Sequence, residues 1–365
     1  MNLELTDEQL ALRDMMRHFL AEKASVAGYV RSMLEHPIGK SDQVWRGLAA
    51  VGGTGLLVPP EHGGTGMTMV EAGIVAEALG AALHPGPWLS CAVAVPRALM
   101  RTGAERNAGD LLTGIADGST IATVGPFTGA RPAVTDDAGR VVLSGQITAI
   151  ADLAAADVAL MLADGPDGTG LYAVQTSSRG FQWTLQNGVD QTRKLFRATL
   201  SEVPAERLAS APADAVQALI DDVIVAHAAD ALGAATAVMH MGVEYAKVRT
   251  QFGQPIGSFQ AIQHLCADMY ETVELARGGV IHALWAADRA DPGAAHLAAV
   301  RAKAFAARLA TVADTAIQVL GGIGYTWEHD AHLYLRRLLD WTAFLGGSGR
   351  YLEELGAQLL RSVSR

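Results

Sequence analysis

A long, alanine-rich helical stretch that begins near residue 213 constrains the fold more than any other feature of this 365-residue sequence. Its most apolar part, residues 223–243, still carries His227, Asp230 and His240. A membrane-spanning helix rarely tolerates three such residues, so we expect this segment to be a buried helix of a globular protein. Helical patterns over about 258–289, 294–320 and 347–362 predict that it packs in a C-terminal bundle.

The rest of the chain divides into two regions of different pattern. Thr6 and Gln9 form the T-x-x-Q signature of a capping box, and apolar residues at helical spacing follow. From about 118 to 208, short β-rich runs alternate with turns, which is typical of a small sheet; the runs are 120–124, 141–143, 158–162, 171–174 and 195–200. The sequence therefore predicts a mainly α protein with a β domain: an N-terminal helical domain (1–117), a middle antiparallel β domain (118–208) and a C-terminal four-helix bundle (209–365).

Composition excludes several classes of partner. The formal net charge is −10, so no basic stripe is available for nucleic acid. Two cysteines, Cys91 and Cys266, cannot form a disulfide framework and indicate a reducing compartment. The first ten residues are polar and acidic, unlike a signal peptide. We therefore expect a cytoplasmic protein with neither a membrane nor a nucleic acid as partner.

Common catalytic signatures are incomplete in this sequence. The glycine clusters do not complete the dinucleotide-binding fingerprint, which disfavours a nicotinamide site. His329 and His332 lack further ligands at metal-binding spacing, so no metal site is predicted. Asp221 and Asp222 could form a catalytic pair, but adjacent helical residues point about 100° apart. We interpret them as carboxylates on the polar face of a helix, near its N-terminus.

Two segments are more informative. The first reads R-T-Q-F-G-Q-P-I and then S-F-Q; the second reads Q-V-L-G-G-I-G-Y. A guanidinium at a helix end suits phosphate, and a glycine-rich break lets backbone approach a ligand closely. The alternative is an ordinary helix–turn–helix with a glycine C-cap, in which the arginine only caps its helix. The residues singled out are Arg249, Phe252, Gln260, Gln318, Gly321 and Gly322.

Together with G-L-L-V-P-P-E-H-G-G-T-G at 55–66, these segments make the chain resemble the acyl-CoA dehydrogenase family over nearly its whole length. The resemblance implies FAD as cofactor and α,β-dehydrogenation of acyl-CoA thioesters. A catalytic Glu of the family removes the α-proton while the β-hydrogen leaves as hydride to the flavin. In members of the family, the two segments reach across a dimer to the neighbour's FAD, so the six residues above are implied to bind a partner's cofactor.

The sequence departs from the family at flavin-facing and catalytic positions. The Trp that covers the flavin becomes Ala149, the Thr that hydrogen-bonds it becomes Ala151, and an upstream Thr becomes Val124. The two places where members carry the catalytic Glu hold Leu345 and Val223. Neither side chain can accept a proton, so no catalytic residue is assigned to this chain.

This asymmetry is what a non-catalytic subunit of a heterotetrameric α2β2 bacterial enzyme would need. The resemblance then implies a homologous partner subunit with the base and flavin pocket, a CoA thioester of a steroid side chain as substrate, and an electron-transfer flavoprotein as acceptor. Two alternatives stay open. One is a homo-oligomeric acyl-CoA dehydrogenase with a displaced base, such as Asp222; the other is a CoA- or acyl-binding scaffold without redox activity.

Overall fold

A helical region, a β region and a second helical region follow one another along the chain, in the predicted order. The computed structural model describes residues 4–137 and 139–363; the first three residues of the acidic N-terminus and the last two of the predicted bundle lie outside them. The α-helices are α1 (Asp7–Lys23), α2 (Arg31–Met33), α3 (Asp42–Ala50), α4 (Met69–Ala81), α5 (Val95–Thr102), α6 (Gly109–Ala116), α7 (Ala213–Val248), α8 (Gln260–Arg289), α9 (Pro292–Ala306), α10 (Leu309–Leu320), α11 (Ala331–Ala343) and α12 (Ser348–Val363). The strands are β1 (Ala122–Gly125), β2 (Ala133–Asp137), β3 (Arg140–Ala151), β4 (Val158–Gly165), β5 (Gly168–Gln175), β6 (Phe181–Gln186), β7 (Leu195–Pro204), β8 (Glu206–Ser210), β9 (Thr250–Gln251) and β10 (Gln254–Pro255).

The chain folds into two compact units. The first comprises Met1–Arg31, Gly73–His84 and Ile224–Arg365, and the second comprises Ser32–Ala72 and Pro85–Val223. The second unit therefore contains the sheet, and the first contains the C-terminal helices. The two predicted domain boundaries, after residues 117 and 208, stay a prediction, because this division follows contacts in space rather than segments of sequence.

The sheet of the second unit is mixed, so the prediction of an antiparallel sheet was wrong in this respect. Its strands lie in the order β6-β7-β3-β2-β4-β5-β8, with β1 beside β4. Both β1 and β2 pair with β4 in parallel, while the other pairs are antiparallel. Parallel pairing needs a long crossover, which local sequence patterns do not reveal. The buried side chains of this sheet form one core, which includes Leu143, Ile147 and Phe196.

In the first unit, α4 and α7 cross with their backbones in contact. A Cβ on Gly80 would lie 1.9 Å from the Asp230 carbonyl oxygen, and one on Gly233 would lie 1.9 Å from the Glu77 carbonyl oxygen. Only glycine allows such an approach. At this crossing the buried Asp230 carboxylate also accepts hydrogen bonds from Arg337 on α11, with Nη1 3.0 Å from each oxygen. The middle of α7 is therefore a core helix.

The predicted helices are found, with two differences. The capping box is formed as predicted, since Gln9 N donates to Thr6 Oγ1 and Thr6 N donates to Gln9 Oε1. The predicted helix 294–320 is divided into α9 and α10, and α11 was not predicted. Among the described helices, α7 is long and apolar enough to cross a membrane, but 78% of its most apolar window is buried inside the protein. This burial agrees with the predicted core helix at 223–243.

Candidate functional site

A tight hairpin after α7 presents the first candidate segment at the surface. Strands β9 and β10 pair antiparallel, and Phe252 and Gly253 form the two-residue turn between them, with φ of 51° and 82°. Positive φ at both turn residues is the pattern of a type I′ hairpin. Phe252 is 92% exposed, and its ring lies nearly perpendicular to that of Phe259, with centroids 6.0 Å apart. The fold thus holds a bulky aromatic ring outside its own core.

Arg249 lies at the base of this hairpin with its backbone fixed and its side chain free. Its N–H donates to the Tyr245 carbonyl, and its own carbonyl accepts from Ile256 N at 2.8 Å. Within the described part of the chain, the exposed guanidinium has no hydrogen bond or ion pair to protein. The alternative that this side chain caps α7 therefore has no hydrogen bond to support it. An exposed guanidinium of this kind can bind an anion such as a phosphate.

The second candidate segment is the glycine-rich turn between α10 and α11. Gln318 is exposed in the last turn of α10, and Gly321 follows with φ of 65°. A Cβ on Gly321 or Gly322 would meet no atom within 4 Å, so their backbone faces open space. Gln260 is the exposed first residue of α8, which packs against α10. All six candidate residues thus belong to the first unit, where they are accessible to another molecule.

Large exposed apolar side chains lie within these two segments or next to them in sequence. The exposed ones include Val248, Phe252, Ile323, Tyr325 and Trp327. Clusters of exposed apolar side chains beside polar groups mark interaction sites on soluble proteins. The candidate segments therefore resemble parts of an interface more than parts of an enclosed cavity.

The positions that would face a flavin in the second unit offer no polar side chain. Val124 is buried in β1, and Ala149 and Ala151 lie near the end of β3. Ala149 has φ of 57°, and its N–H donates to Gln186 Oε1 at 2.9 Å, so a neighbouring side chain already occupies this amide. These residues do not fit the flavin ring of FAD, whereas Arg249 and the open glycine backbone of the first unit fit its pyrophosphate.

Both positions that the resemblance assigns to a catalytic base carry apolar side chains, but their surroundings differ. Val223 is buried on α7. Leu345 is half-buried directly after α11, with φ of 54°, and its carbonyl accepts a hydrogen bond from Tyr351 Oη at 2.8 Å. Neither position can hold or transfer a proton.

Asp222 is engaged in a buried ion pair. Its carboxylate is 1% exposed. Oδ2 accepts hydrogen bonds from Arg97 Nε at 2.7 Å and from Arg101 Nε at 2.8 Å. Oδ1 accepts from Arg97 Nη2 at 3.0 Å and from Arg101 Nη2 at 2.9 Å. Two guanidinium forks thus hold one carboxylate. This geometry makes Asp222 a structural residue, which argues against its role as a displaced base.

Histidines predicted not to bind metal have other roles in the structure. His329 Nδ1 accepts a hydrogen bond from Ala331 N, and the His332 ring packs edge-on to Trp327 at 4.5 Å. Burial, together with Arg336 and Arg31, lowers the pKa of His332. In the described residues, no group of three or more His, Cys, Asp or Glu side chains could hold a metal ion.

Sequence reasoning missed a buried lysine in the helical unit. Lys303 on α9 is fully buried; its Nζ donates to the Trp341 carbonyl at 2.5 Å and lies 3.7 Å from the centroid of the Trp341 ring. Burial lowers the pKa of Lys303 to about 7, and Asp340 opposes this shift. The available signal was a lysine flanked by alanines within the alanine-rich stretch 294–310.

We expect Lys303→Met to remove a pH dependence from the stability of the chain. The folded state binds fewer protons than the unfolded state between the folded pKa of about 7 and the ordinary lysine value, so wild-type stability rises with pH in this window. Below pH 7 this slope disappears, because the lysine is charged in both states. Urea unfolding at about pH 7 and about pH 9.5 should show wild type gaining about 3 kcal/mol more than the variant. Equal gains in the free energy of unfolding for wild type and variant would contradict the lowered pKa of Lys303.

Models of known protein families match the two helical regions of the chain. A sequence model of the acyl-CoA dehydrogenase N-terminal domain matches residues 6–119, and one of the C-terminal domain matches residues 215–360. Acyl-CoA dehydrogenase IpdE2 of Mycobacterium tuberculosis is 33% identical over 98% of this chain and 98% of its own length. Acyl-CoA dehydrogenase FadE34 of the same organism is 34% identical over 99% of this chain, which spans 49% of that relative.

Solved structures with the same fold include two assemblies. A chain of the ChsE4-ChsE5 complex from Mycobacterium tuberculosis is 25% identical, with a TM-score of 0.90 and coverage of 99% of both chains. A chain of a variant of the Tcur3481-Tcur3483 steroid ACAD is 28% identical, with a TM-score of 0.88 and coverage of 98% of this chain and 99% of that chain. The whole described fold is thus shared with these proteins.

Proposed function

Because this chain belongs to the acyl-CoA dehydrogenase family, whose members use FAD, we propose that it is the non-catalytic subunit of a heteromeric acyl-CoA dehydrogenase. It completes the FAD site of a homologous partner subunit, which supplies the flavin pocket and the catalytic base. The complex dehydrogenates an acyl-CoA thioester between its α and β carbons. FAD supplies the hydride acceptor when bound.

The observation that carries this proposal is the free guanidinium of Arg249 beside an exposed hairpin. In the described part of the chain no protein group pairs with it, and the backbone of Gly321 and Gly322 is open. These features suit the phosphates of a cofactor held mainly by another subunit. The flavin-facing positions of this chain, in contrast, hold Ala149 and Ala151.

The apolar side chains at the two positions assigned to a base support the same assignment of roles to the two subunits. General-base catalysis needs a group that can take the α-proton at hydrogen-bond distance. Leu345 and Val223 have no such group, and the Asp222 carboxylate is already held by two arginines. The homo-oligomeric alternative with Asp222 as base therefore has the weaker support.

The relatives suggest the partner and the substrate class. ChsE4-ChsE5 is a complex of two different chains, and the Tcur3481-Tcur3483 assembly is a steroid ACAD. FadE34 is about twice as long as the region that this chain matches, which leaves room for a second domain of similar size. We propose an α2β2 assembly in the cytoplasm that acts on CoA thioesters of steroid side chains and passes electrons to an electron-transfer flavoprotein.

The visible absorption spectrum of the chain purified alone tests this proposal. We expect no stoichiometric FAD, since Val124, Ala149 and Ala151 lack the hydrogen bonds and ring contact that hold a flavin. Each lost contact is worth about 1 kcal/mol, so together they weaken binding by orders of magnitude. Co-expression with a homologous acyl-CoA dehydrogenase subunit should give a yellow complex.

Two other outcomes of this experiment would indicate the homo-oligomeric enzyme or the CoA-binding scaffold. A yellow homodimer with equimolar FAD would contradict the proposal and favour the homo-oligomeric enzyme. A chain that stays colourless with every homologous subunit, yet binds CoA or acyl-CoA, would favour the scaffold.

We expect Arg249→Ala to weaken FAD binding in the assembled complex by about tenfold to a hundredfold, because a charge-assisted contact to phosphate is lost. Lys247→Ala is the matched control: Lys247 is also exposed near the end of α7, but its ammonium pairs with Glu244. Flavin content after dialysis and the dissociation constant for added FAD measure the effect. Full flavin retention by Arg249→Ala would show that Arg249 has no cofactor role.

A further inference from the structure

An ion pair joins the N-terminal segment of the chain to the glycine-rich turn between α10 and α11, which comprises residues 321–330. Arg31 Nε donates to Asp330 Oδ1 at 2.7 Å, and both side chains are about one-quarter exposed. The two residues are 299 positions apart in the chain, and both belong to the first compact unit. The pair therefore fixes the far end of this turn from outside the two helices that the turn connects.

A short π-helix, Val26–Val30, directly precedes Arg31. Turns of π-helix are rare in proteins and occur frequently at functional sites. Arg31 Nη2 is buried and has no hydrogen-bond partner among the residues that the structure describes, whereas Arg249 is exposed. This part of the Arg31 guanidinium is turned away from solvent, so Arg31 is placed to hold Asp330 rather than to bind a ligand itself.

The Asp330 carboxylate is not used to cap α11. An aspartate directly before a helix usually accepts a hydrogen bond from a backbone N–H of the first turn. Within the described residues, the Asp330 side chain makes no such bond; instead, His329 Nδ1 accepts from Ala331 N at 3.2 Å. The neighbouring histidine thus takes the ordinary role of an aspartate at this position, and the Asp330 carboxylate binds Arg31.

Successive hydrogen bonds connect the end of the turn to its open glycines. His329 N donates to the Thr326 carbonyl at 3.3 Å. Thr326 N and Oγ1 both donate to the Ile323 carbonyl, at 3.1 and 2.9 Å. Ile323 lies in the 3₁₀-helix Gly321–Tyr325, which contains both glycines whose backbone faces open space. A displacement of Asp330 is therefore passed along the turn to this backbone.

The middle of the turn is held by α11 itself. The Trp327 ring lies edge-on to His332 at 4.5 Å, and the Arg336 guanidinium lies over the same ring at 5.4 Å from its centroid. Attraction between a cation and an indole ring stabilises such a contact. Because α11 begins where the turn ends, these contacts fix the turn to its own helix, whereas Arg31 fixes it to a different segment of the chain.

We infer that the Arg31–Asp330 ion pair positions the open backbone of Gly321 and Gly322 for the FAD of the partner subunit. The inference rests on the proposed function, because that function supplies the ligand of this backbone. Arg31 and Asp330 are positioning residues, which hold the turn and do not touch the cofactor. A turn that is ordered before binding loses less conformational entropy on binding, so the pair raises the affinity for FAD.

The dissociation constant of FAD for the assembled complex tests the inference. Asp330→Asn and Arg31→Gln should each raise it by about threefold to fivefold, near the upper limit for a partly exposed ion pair. The double variant should raise it no further than either single variant, because both changes remove the same contact. Arg31→Lys keeps the charge and should recover most of the affinity.

Glu77→Gln is the matched control. Glu77 on α4 pairs with Arg277 on α8 at 2.8 Å, with side-chain exposures of 21% and 27%, close to the 24% and 25% of Asp330 and Arg31. Both pairs lie in the first unit, but the control pair joins two helices away from the turn in sequence. Glu77→Gln should leave the affinity for FAD unchanged. An equal loss of affinity in this control would indicate a general effect on the fold and overturn the positioning role.

Hydrogen exchange of the isolated chain gives a readout that depends on neither flavin nor partner. In Asp330→Asn, the amide protons of Thr326 and His329 should exchange about threefold to fivefold faster than in wild type, because the turn opens more often. Amide protons of α9 should exchange as in wild type. Unchanged exchange at both amides of the turn would overturn the inference.

Arg249→Ala separates this inference from the proposed function. If Arg249→Ala weakens FAD binding while Asp330→Asn and Arg31→Gln do not, the positioning role is overturned and the proposed function stands. If none of the three variants changes the affinity for FAD, both proposals are overturned.

Discussion

Replacing the catalytic Glu of the flavin-binding partner by Gln should lower turnover of the assembled complex by about 10²–10⁴-fold, the range that a general base contributes. The reason is that Leu345 and Val223 in this chain cannot accept a proton. Asp222, the nearest carboxylate to Val223 apart from Asp221, is held by four hydrogen bonds from arginines. Flavin reduction by acyl-CoA in a stopped-flow experiment measures the loss directly.

Flavin content and assembly are the controls for this experiment, because a lost cofactor would also stop the reaction. A complex that retains its reduction rate after loss of the partner's Glu would place the base in this chain. That result would overturn the proposal that only the partner subunit supplies the base.

Asp222→Asn should lower the free energy of unfolding of the isolated chain by about 3–5 kcal/mol, because it leaves buried guanidinium charge without its counter-charge. Arg97 is buried and Arg101 is about one-quarter exposed, so most of the cost arises at Arg97. Urea denaturation at neutral pH measures the change. Asp268→Asn on the exposed surface of α8 removes the same charge and should alter stability by less than about 0.5 kcal/mol.

The turnover of the same variant gives a second test. Complexes with Asp222→Asn that still fold and bind FAD should retain turnover per flavin, because a structural ion pair does not take part in proton transfer. Complexes that fold and hold flavin but no longer turn over would instead identify Asp222 as the base.

Local sequence patterns predicted those features that depend on neighbours within a few residues. The capping box at Thr6 and Gln9 is of this kind. It depends on backbone N–H groups at the start of the helix that nearby side chains satisfy. The same patterns missed β2, β6 and β8, because a short strand exists only when a partner strand accepts its hydrogen bonds.

The candidate cofactor segments were also identified from sequence, since their residues lie within two short, continuous stretches. What sequence could not supply was the state of their side chains. Only the fold shows that the Arg249 guanidinium has no protein partner in the described residues, and that Phe252 points outward on a hairpin.

By itself, the sequence determined the helical–β–helical order, the buried nature of residues 223–243 and the apolar side chains of Leu345 and Val223. The tertiary structure alone decided that Asp222 binds two arginines more than 120 residues away, that Lys303 is buried, and that His227 stacks on Phe344. Caps, turns and periodicity act over one or two turns of chain, whereas the burial and partner of a charged or aromatic side chain depend on which distant helices pack against it.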